Sequence, residues 1–126
     1  MKRYAANYLY ISPRHILKNG VVETDEQTGC ITSVFSLDDV GDEVQSTVFF
    51  NGILIPFEPV LTPEMNEMEI FSLLDSQFSQ QPVSINCREK AALWLLEGDE
   101  LLMRRKLGKK WRITSVIPPS QSFQPL

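Results

Sequence analysis

Short apolar runs separated by polar turns fill the first 56 positions. Tyr4, Asn7, Leu9 and Ile11 lie in an aromatic and aliphatic run that closes at Ser12-Pro13. Ile16 to Glu23 forms a second run, with Asn19-Gly20 inside it as a tight turn or bulge. The polar turn Asp25 to Gly29 leads to Cys30 to Phe35, and an acidic loop from Asp38 to Glu43 leads into Ser46 to Ile55. Strand-length runs rich in Val, Ile, Phe and Tyr, broken at this spacing by hairpin-type turns, predict an antiparallel sheet folded as a sandwich or barrel.

The periodicity changes at Thr62-Pro63. Thr62 suits a helix cap, Pro63 the first helical position, and Glu64 the positive end of the dipole. Met65, Met68, Phe71, Leu74 and Phe78 then recur every three to four residues, with Ile70 and Leu73 widening the stripe. This predicts one amphipathic helix, ending before Gln81-Pro82 and packing on the sheet. Strands resume afterwards. Ala91 to Glu97 is apolar on both faces, as in a central strand. Leu101 to Arg105 and Trp111 to Ile117 flank a turn at Leu107-Gly108-Lys109, and Pro118-Pro119 ends regular structure. The expected organisation is a single domain: an N-terminal strand block 2–56, a linking helix at about 63–79, a C-terminal strand block at about 88–117, and a tail 118–126. The fold class is mainly β, a sandwich or barrel-like sheet of about seven or eight strands with one helix inserted.

Composition narrows the class without naming a chemistry. A chain of 126 residues with 43% hydrophobic and 22% charged positions is that of a globular domain, able to bury roughly two thirds of its unfolded surface. No apolar run approaches the roughly 20 residues that span a bilayer. Met1-Lys2-Arg3 is followed by an alternating stretch and not by a signal-peptide core, so a cytoplasmic location is expected. Cys30 and Cys87 have no metal-type spacing and read as two reduced, small apolar residues, with a disulfide between distant strands left open by sequence.

The run Phe49-Phe50-Asn51-Gly52-Ile53-Leu54-Ile55-Pro56 carries a resemblance. Residues 2–56 resemble the N-terminal segment of the amidohydrolase superfamily of metal-dependent hydrolases, in its cytosine/guanine deaminase and chlorohydrolase-like branch. Shared are an opening strand, a strand with an Asn-Gly turn, an acidic Gly-containing turn, a strand like Ile31 to Val34, and the closing strand that ends at Pro56. Residues from about Arg88 to Ile117 look like that family's C-terminal segment, with Lys90 to Gly98 as its apolar strand and turn. In such enzymes these two segments form a composite β-sandwich beside a (β/α)₈ barrel, and the barrel holds the metal and the catalytic groups. A barrel takes about 200 residues or more. Only about thirty separate the blocks here. After Pro56 the family continues with Gly and His-x-His; this chain continues with Phe57-Glu58-Pro59, and its one histidine is His15. The resemblance therefore implies the composite sandwich alone, with no catalytic residue, cofactor or metal ligand carried over, since a metal hydrolase needs at least three protein ligands.

One charge cluster stands out. Arg104, Arg105, Lys106, Lys109, Lys110 and Arg112 place six of the twelve basic residues within nine positions, beside Trp111. Removing those six charges from the net −4 leaves −10 on the remainder, so the chain is strongly polarised. A basic hairpin of this kind could contact an anion or single-stranded nucleic acid, but the negative remainder weighs against nucleic acid. The competing reading is a solvated hairpin, or a patch meeting the acidic loop Asp38 to Glu43 on its own or a neighbouring chain. His15 reads as a surface loop residue. Asp38, Asp39, Asp42 and Glu43 read as exposed acids without the apolar cover that raises a carboxyl pKa.

The functional expectation is a non-catalytic module, a pseudoenzyme with a structural or protein-interaction role. Removing the barrel uncovers a face that the helix, a second copy or another protein must cover. The alternatives are an accessory subunit of a hydrolase acting on non-peptide C–N bonds, with a paralogue supplying the barrel, and anion or nucleic-acid binding through the basic hairpin.

Overall fold

The long first strand organises the sheet. In a computed structural model that describes residues 2–40, 47–60, 67–80, 85–90, 92–97 and 112–118, strand β1 (Lys2–Ser12) turns at Pro13-Arg14 into β2 (His15–Lys18). Strand β3 (Gly20–Thr24) continues beyond Asn19. The turn 25–30 leads to β4 (Ile31–Ser36), and a short 3₁₀ turn, Leu37–Asp39, follows. Strand β5 (Thr47–Ile55), helix α1 (Glu67–Gln80), β6 (Leu93–Glu97) and β7 (Arg112–Ile117) complete the described elements. The seven strands form one sheet in the order β4-β3-β1-β5-β6-β7, with β2 and β3 sharing the edge of β1 opposite β5. Among the described residues the fold is mainly β with one helix, in keeping with the sandwich or barrel-like class.

The sheet is mixed, which corrects the expectation of an antiparallel one. Strands β1 and β5 run parallel, with Tyr4 opposite Val48 and Leu9 opposite Leu54. Local turns predict hairpins between sequence neighbours; β1–β2 and β3–β4 pair in this way, β4 and β5 do not, and the strand expected at Leu101 to Arg105 with its turn at Leu107-Gly108-Lys109 lies outside the described residues. Strand β4 already runs in the direction of β1, and β5 follows it in the same direction, a crossover from the outer strand to the free edge of β1 that no local turn announces.

Asn7 and Asn19 explain how this sheet serves two cores. The Asn19 N–H donates to the Asn7 carbonyl at 2.7 Å, and Asn19 sits in the left-handed region at φ 52°. On the other side the Asn7 side chain accepts the Gly52 N–H at 2.8 Å, where the β1–β5 register shifts. Alternation slips by one residue at this row: Tyr4 and Ala6 before Asn7 share a cluster with Leu9 and Ile11 after it. A strand that kept strict alternation would send those pairs to opposite faces. The slip turns Tyr8 and Tyr10 toward the other face, where they join Ile53, Ile55, Phe57 and Leu96.

The first core joins Ala6, Leu9, Ile11, Val22, Ile31 and Leu54 to Ile85, Leu93 and Leu95, with Val116 and Ile117 against it. Residues of β6 and β7 thus pack on residues of β3 and β4, from the opposite end of the strand order, so the sheet curls over on itself. The loop 85–90 closes the curl. The Ile31 N–H donates to the Glu89 carbonyl at 2.9 Å, the Arg88 N–H donates to the Ile31 carbonyl at 2.7 Å, and Cys30 bridges to Lys90.

Helix α1 covers the second core. Ile70 and Leu74 are fully buried, with Phe71, Leu73 and Phe78 packed around them, and each fully buried aliphatic side chain contributes about 2 kcal/mol. The expected start at residue 63 and the Thr62-Pro63-Glu64 cap lie outside the described residues, as do the side chains of Met65 and Met68; the helical end at Gln80 is as the sequence predicts. Tyr10 fastens the helix to the sheet. Its ring lies edge-on to Phe57 and Phe78, and its hydroxyl donates to Asp75 Oδ1 at 2.6 Å. Burial, together with the Asp75 carboxylate that accepts its proton, holds the phenol well above its usual range.

Two predictions follow the geometry. A Cβ at Gly52 would run into the Leu96 carbonyl oxygen, so Gly52→Ala should cost about 2 kcal/mol or more in urea unfolding. For Tyr10, a folded pKa above the unfolded value favours the neutral phenol, so stability is whole below the unfolded pKa of about 10. It should then fall by about 1.4 kcal/mol per pH unit as the unfolded chain ionises first. Urea titrations from neutral pH to above pH 10 should show this extra slope in the parent chain and not in Tyr10→Phe.

Candidate functional site

A cleft of about 650 Å³ opens at the mouth of the curled sheet, lined by Lys2, Tyr4, Thr24, Asp25, Glu26, Gly29, Val48 and Ile117. Its walls follow from strand register. Lys2 and Tyr4 are two apart on β1 and share a side. Thr24 of β3 is opposite Lys2, and Val22 of β3 and Val48 of β5 flank Tyr4. Ile117, at the end of β7, comes from the overlying part of the sheet. The lining combines aromatic and aliphatic side chains with charged ones.

The rim is held by a compact turn. Asp25 Oδ1 accepts the N–H groups of Gln27 at 2.7 Å and Thr28 at 3.2 Å, and the Asp25 carbonyl accepts the Gly29 N–H at 2.8 Å. Gly29 adopts φ 74°, a conformation that costs glycine little. The Thr24 hydroxyl, nearly buried, faces the Lys2 carbonyl at 3.5 Å. The Lys2 ammonium lies 5.7 Å from the centre of the Tyr4 ring, a cation–π geometry worth about 0.5–1 kcal/mol at an exposed site.

On the opposite side of the sheet the ion pair of Arg3 Nε with Glu23 Oε2 spans 2.6 Å, and Thr32 donates to Glu23 Oε1 at 3.1 Å. These groups tie β1, β3 and β4 together and lie apart from the cleft. Also on that side, Phe49 of β5 extends a row with Ala5, Val21 and Phe35. Phe49 is 46% exposed and Ile113 of β7, in register with Leu96 and Ile53, is 37% exposed.

Of the basic cluster, Arg104, Arg105, Lys106, Lys109 and Lys110 lie outside the described residues. Arg112 opens β7, is 74% exposed at its side chain, and pairs with Glu97 at 3.4 Å. His15 is exposed, as expected, but starts strand β2 where a loop was predicted, because the Pro13-Arg14 turn is only two residues long. Both cysteines are free thiols, so the disulfide left open by sequence is not formed; Cys87 is exposed, contrary to the apolar reading. Asp38 and Asp39 are exposed acids, Asp38 accepting from Asn19 Nδ2 at 3.0 Å; Asp42 and Glu43 lie outside the described residues. Among the described residues no group of three or more His, Cys, Asp or Glu is placed to hold a metal ion.

The sequence reading missed the cleft. Lys2 and Tyr4 show a shared side by spacing alone, but only the pairing of β1 with β3 and β5 brings Thr24 and Val48 beside them. Comparison with models of known families, with curated proteins and with solved structures finds no match to this chain.

The Arg112–Glu97 pair, open to solvent, is worth little. Arg112→Ala should change unfolding stability by less than about 0.5 kcal/mol in a urea titration at moderate salt.

Proposed function

We propose that the chain works as a non-catalytic sandwich module of the amidohydrolase type, acting through protein contact, foremost with a second copy of itself. The observation that carries this reading is the β5–β6 ladder, in which Ile53, Leu54 and Ile55 pair with Leu96, Leu95 and Trp94. It joins the N-terminal and C-terminal blocks in one sheet, the arrangement the composite domain requires. Helix α1 lies on Tyr10, Ile53 and Ile55, beside the strand end that in the resembling enzymes leads into the barrel. The short connection thus supplies a cover of its own.

Phe49 and Ile113 share the helix side of the sheet and remain exposed, and they are the apolar anchors assigned to the contact. A second copy is favoured as occupant because the chain carries both a basic cluster and an acidic remainder, and a two-fold pairing can set one against the other. Light scattering at low and high salt tests the proposal. The expected result is a dimer at low salt that weakens at high salt, as the opposed charges are screened, and dissociates on Phe49→Ser. A monomer under both conditions, or a dimer indifferent to Phe49, would overturn it.

A further inference from the structure

We propose that the cleft at the mouth of the curled sheet binds a small zwitterion with an apolar body, of the class of a free α-amino acid with an aliphatic or aromatic side chain. The inference is independent of the contact through Phe49, because Phe49 and the cleft residue Val48 are sequence neighbours on a strand and point to opposite faces.

Three observations converge. The cleft is lined by opposite charges with separate side-chain contacts: Lys2 lies over the Tyr4 ring, and Asp25 Oδ1 accepts the turn amides of Gln27 and Thr28. Tyr4, Val48 and Ile117 add apolar surface to the same lining. The volume, about 650 Å³, falls within the range of small-molecule sites. Concave apolar walls with a few fixed polar groups are what such sites offer, and the mouth of a barrel-like sheet is a recurrent place for them.

The charge pattern selects the ligand class. A simple organic anion would gain Lys2 but face the Asp25 carboxylate. A simple organic cation would gain Asp25 and displace Lys2 from the Tyr4 ring. A molecule carrying both charges satisfies both sides: its carboxylate accepts from the Lys2 ammonium, its ammonium donates to Asp25, and its side chain rests on Tyr4, Val48 and Ile117. No covalent step is involved.

Calorimetric titration with phenylalanine and leucine, and with N-acetylphenylalanine and phenylalaninamide, tests the assignment. The zwitterions should bind, and each capped form, lacking one charge, should bind about tenfold more weakly or worse, the loss of one charge-assisted hydrogen bond. Lys2→Met and Asp25→Asn should weaken the zwitterions by about the same factor, while Asp39→Asn, a remote exposed acid, leaves them unchanged. Asp25→Asn keeps the side-chain acceptor of the turn; should it still fail to fold, as circular dichroism would show, the capped ligands and Lys2→Met decide alone. Capped forms binding as well as the zwitterions, insensitivity to Lys2→Met, or no heat with any ligand would each overturn the proposal.

Discussion

The hydrogen bonds around Asn7 are the constraint from which the rest of the architecture follows. Its carbonyl takes the Asn19 amide on one side and its side chain takes the Gly52 amide on the other. Strand β1, the junction of β2 and β3, and β5 are thereby tied together at the row where the β1–β5 register shifts. The alternation slip at that row lets one strand feed two cores, sending Leu9 and Ile11 inside the curl and Tyr8 and Tyr10 beneath the helix. An apolar residue at position 7 would leave a backbone amide of β5 without its acceptor, and buried polar groups are costly when unpaired.

The helix depends on the same row at one remove. Tyr10 is directed to α1 because the slip has occurred, and there it meets Asp75 across a sequence separation of 65. Tyr8 meets Phe71 edge-on at 5.6 Å between ring centres. At the far side of the helix Gln77 clasps the Val60 backbone, accepting its N–H at 3.0 Å and donating to its carbonyl at 2.6 Å. A helix held by apolar burial and by directional bonds at separate points has one orientation available, which suits an element that must seal a face without slipping.

Much of this was legible in the sequence, and the failures share a physical cause. The strand runs, the Asn19-Gly20 irregularity, the Asp25 to Gly29 turn and the Ile70, Leu74 and Phe78 stripe all express local rules: alternation, turn chemistry and helical periodicity. The parallel pairing of β1 with β5 was not legible, because it depends on a crossover past β3 and β1 and not on a local turn. The cleft was missed for the same reason, since Lys2, Thr24 and Val48 become neighbours only through that pairing. His15 was misplaced by a two-residue turn shorter than its Pro-Arg composition suggested. Gly52 belongs between these cases: its presence in a strand marks a bulge or a close approach, and only the structure names Leu96 as the group that approaches.

The parallel β1–β5 pair also sets an order of assembly. Strands β1 to β4 are joined by short turns and can pair as soon as they are made, but the second edge of β1 waits for β5, and β5 waits for β6. During synthesis the first forty residues therefore present an unfinished sheet whose open edge is the first strand itself. Open edges of this kind recruit other chains. Ala5 and Ala6, small residues on that strand, give an intruding chain little side-chain surface to grip, while the native partner brings Phe49 and Phe50 to the same positions. Selectivity during folding is thus built into the contrast between a bare strand and the bulky one meant to join it.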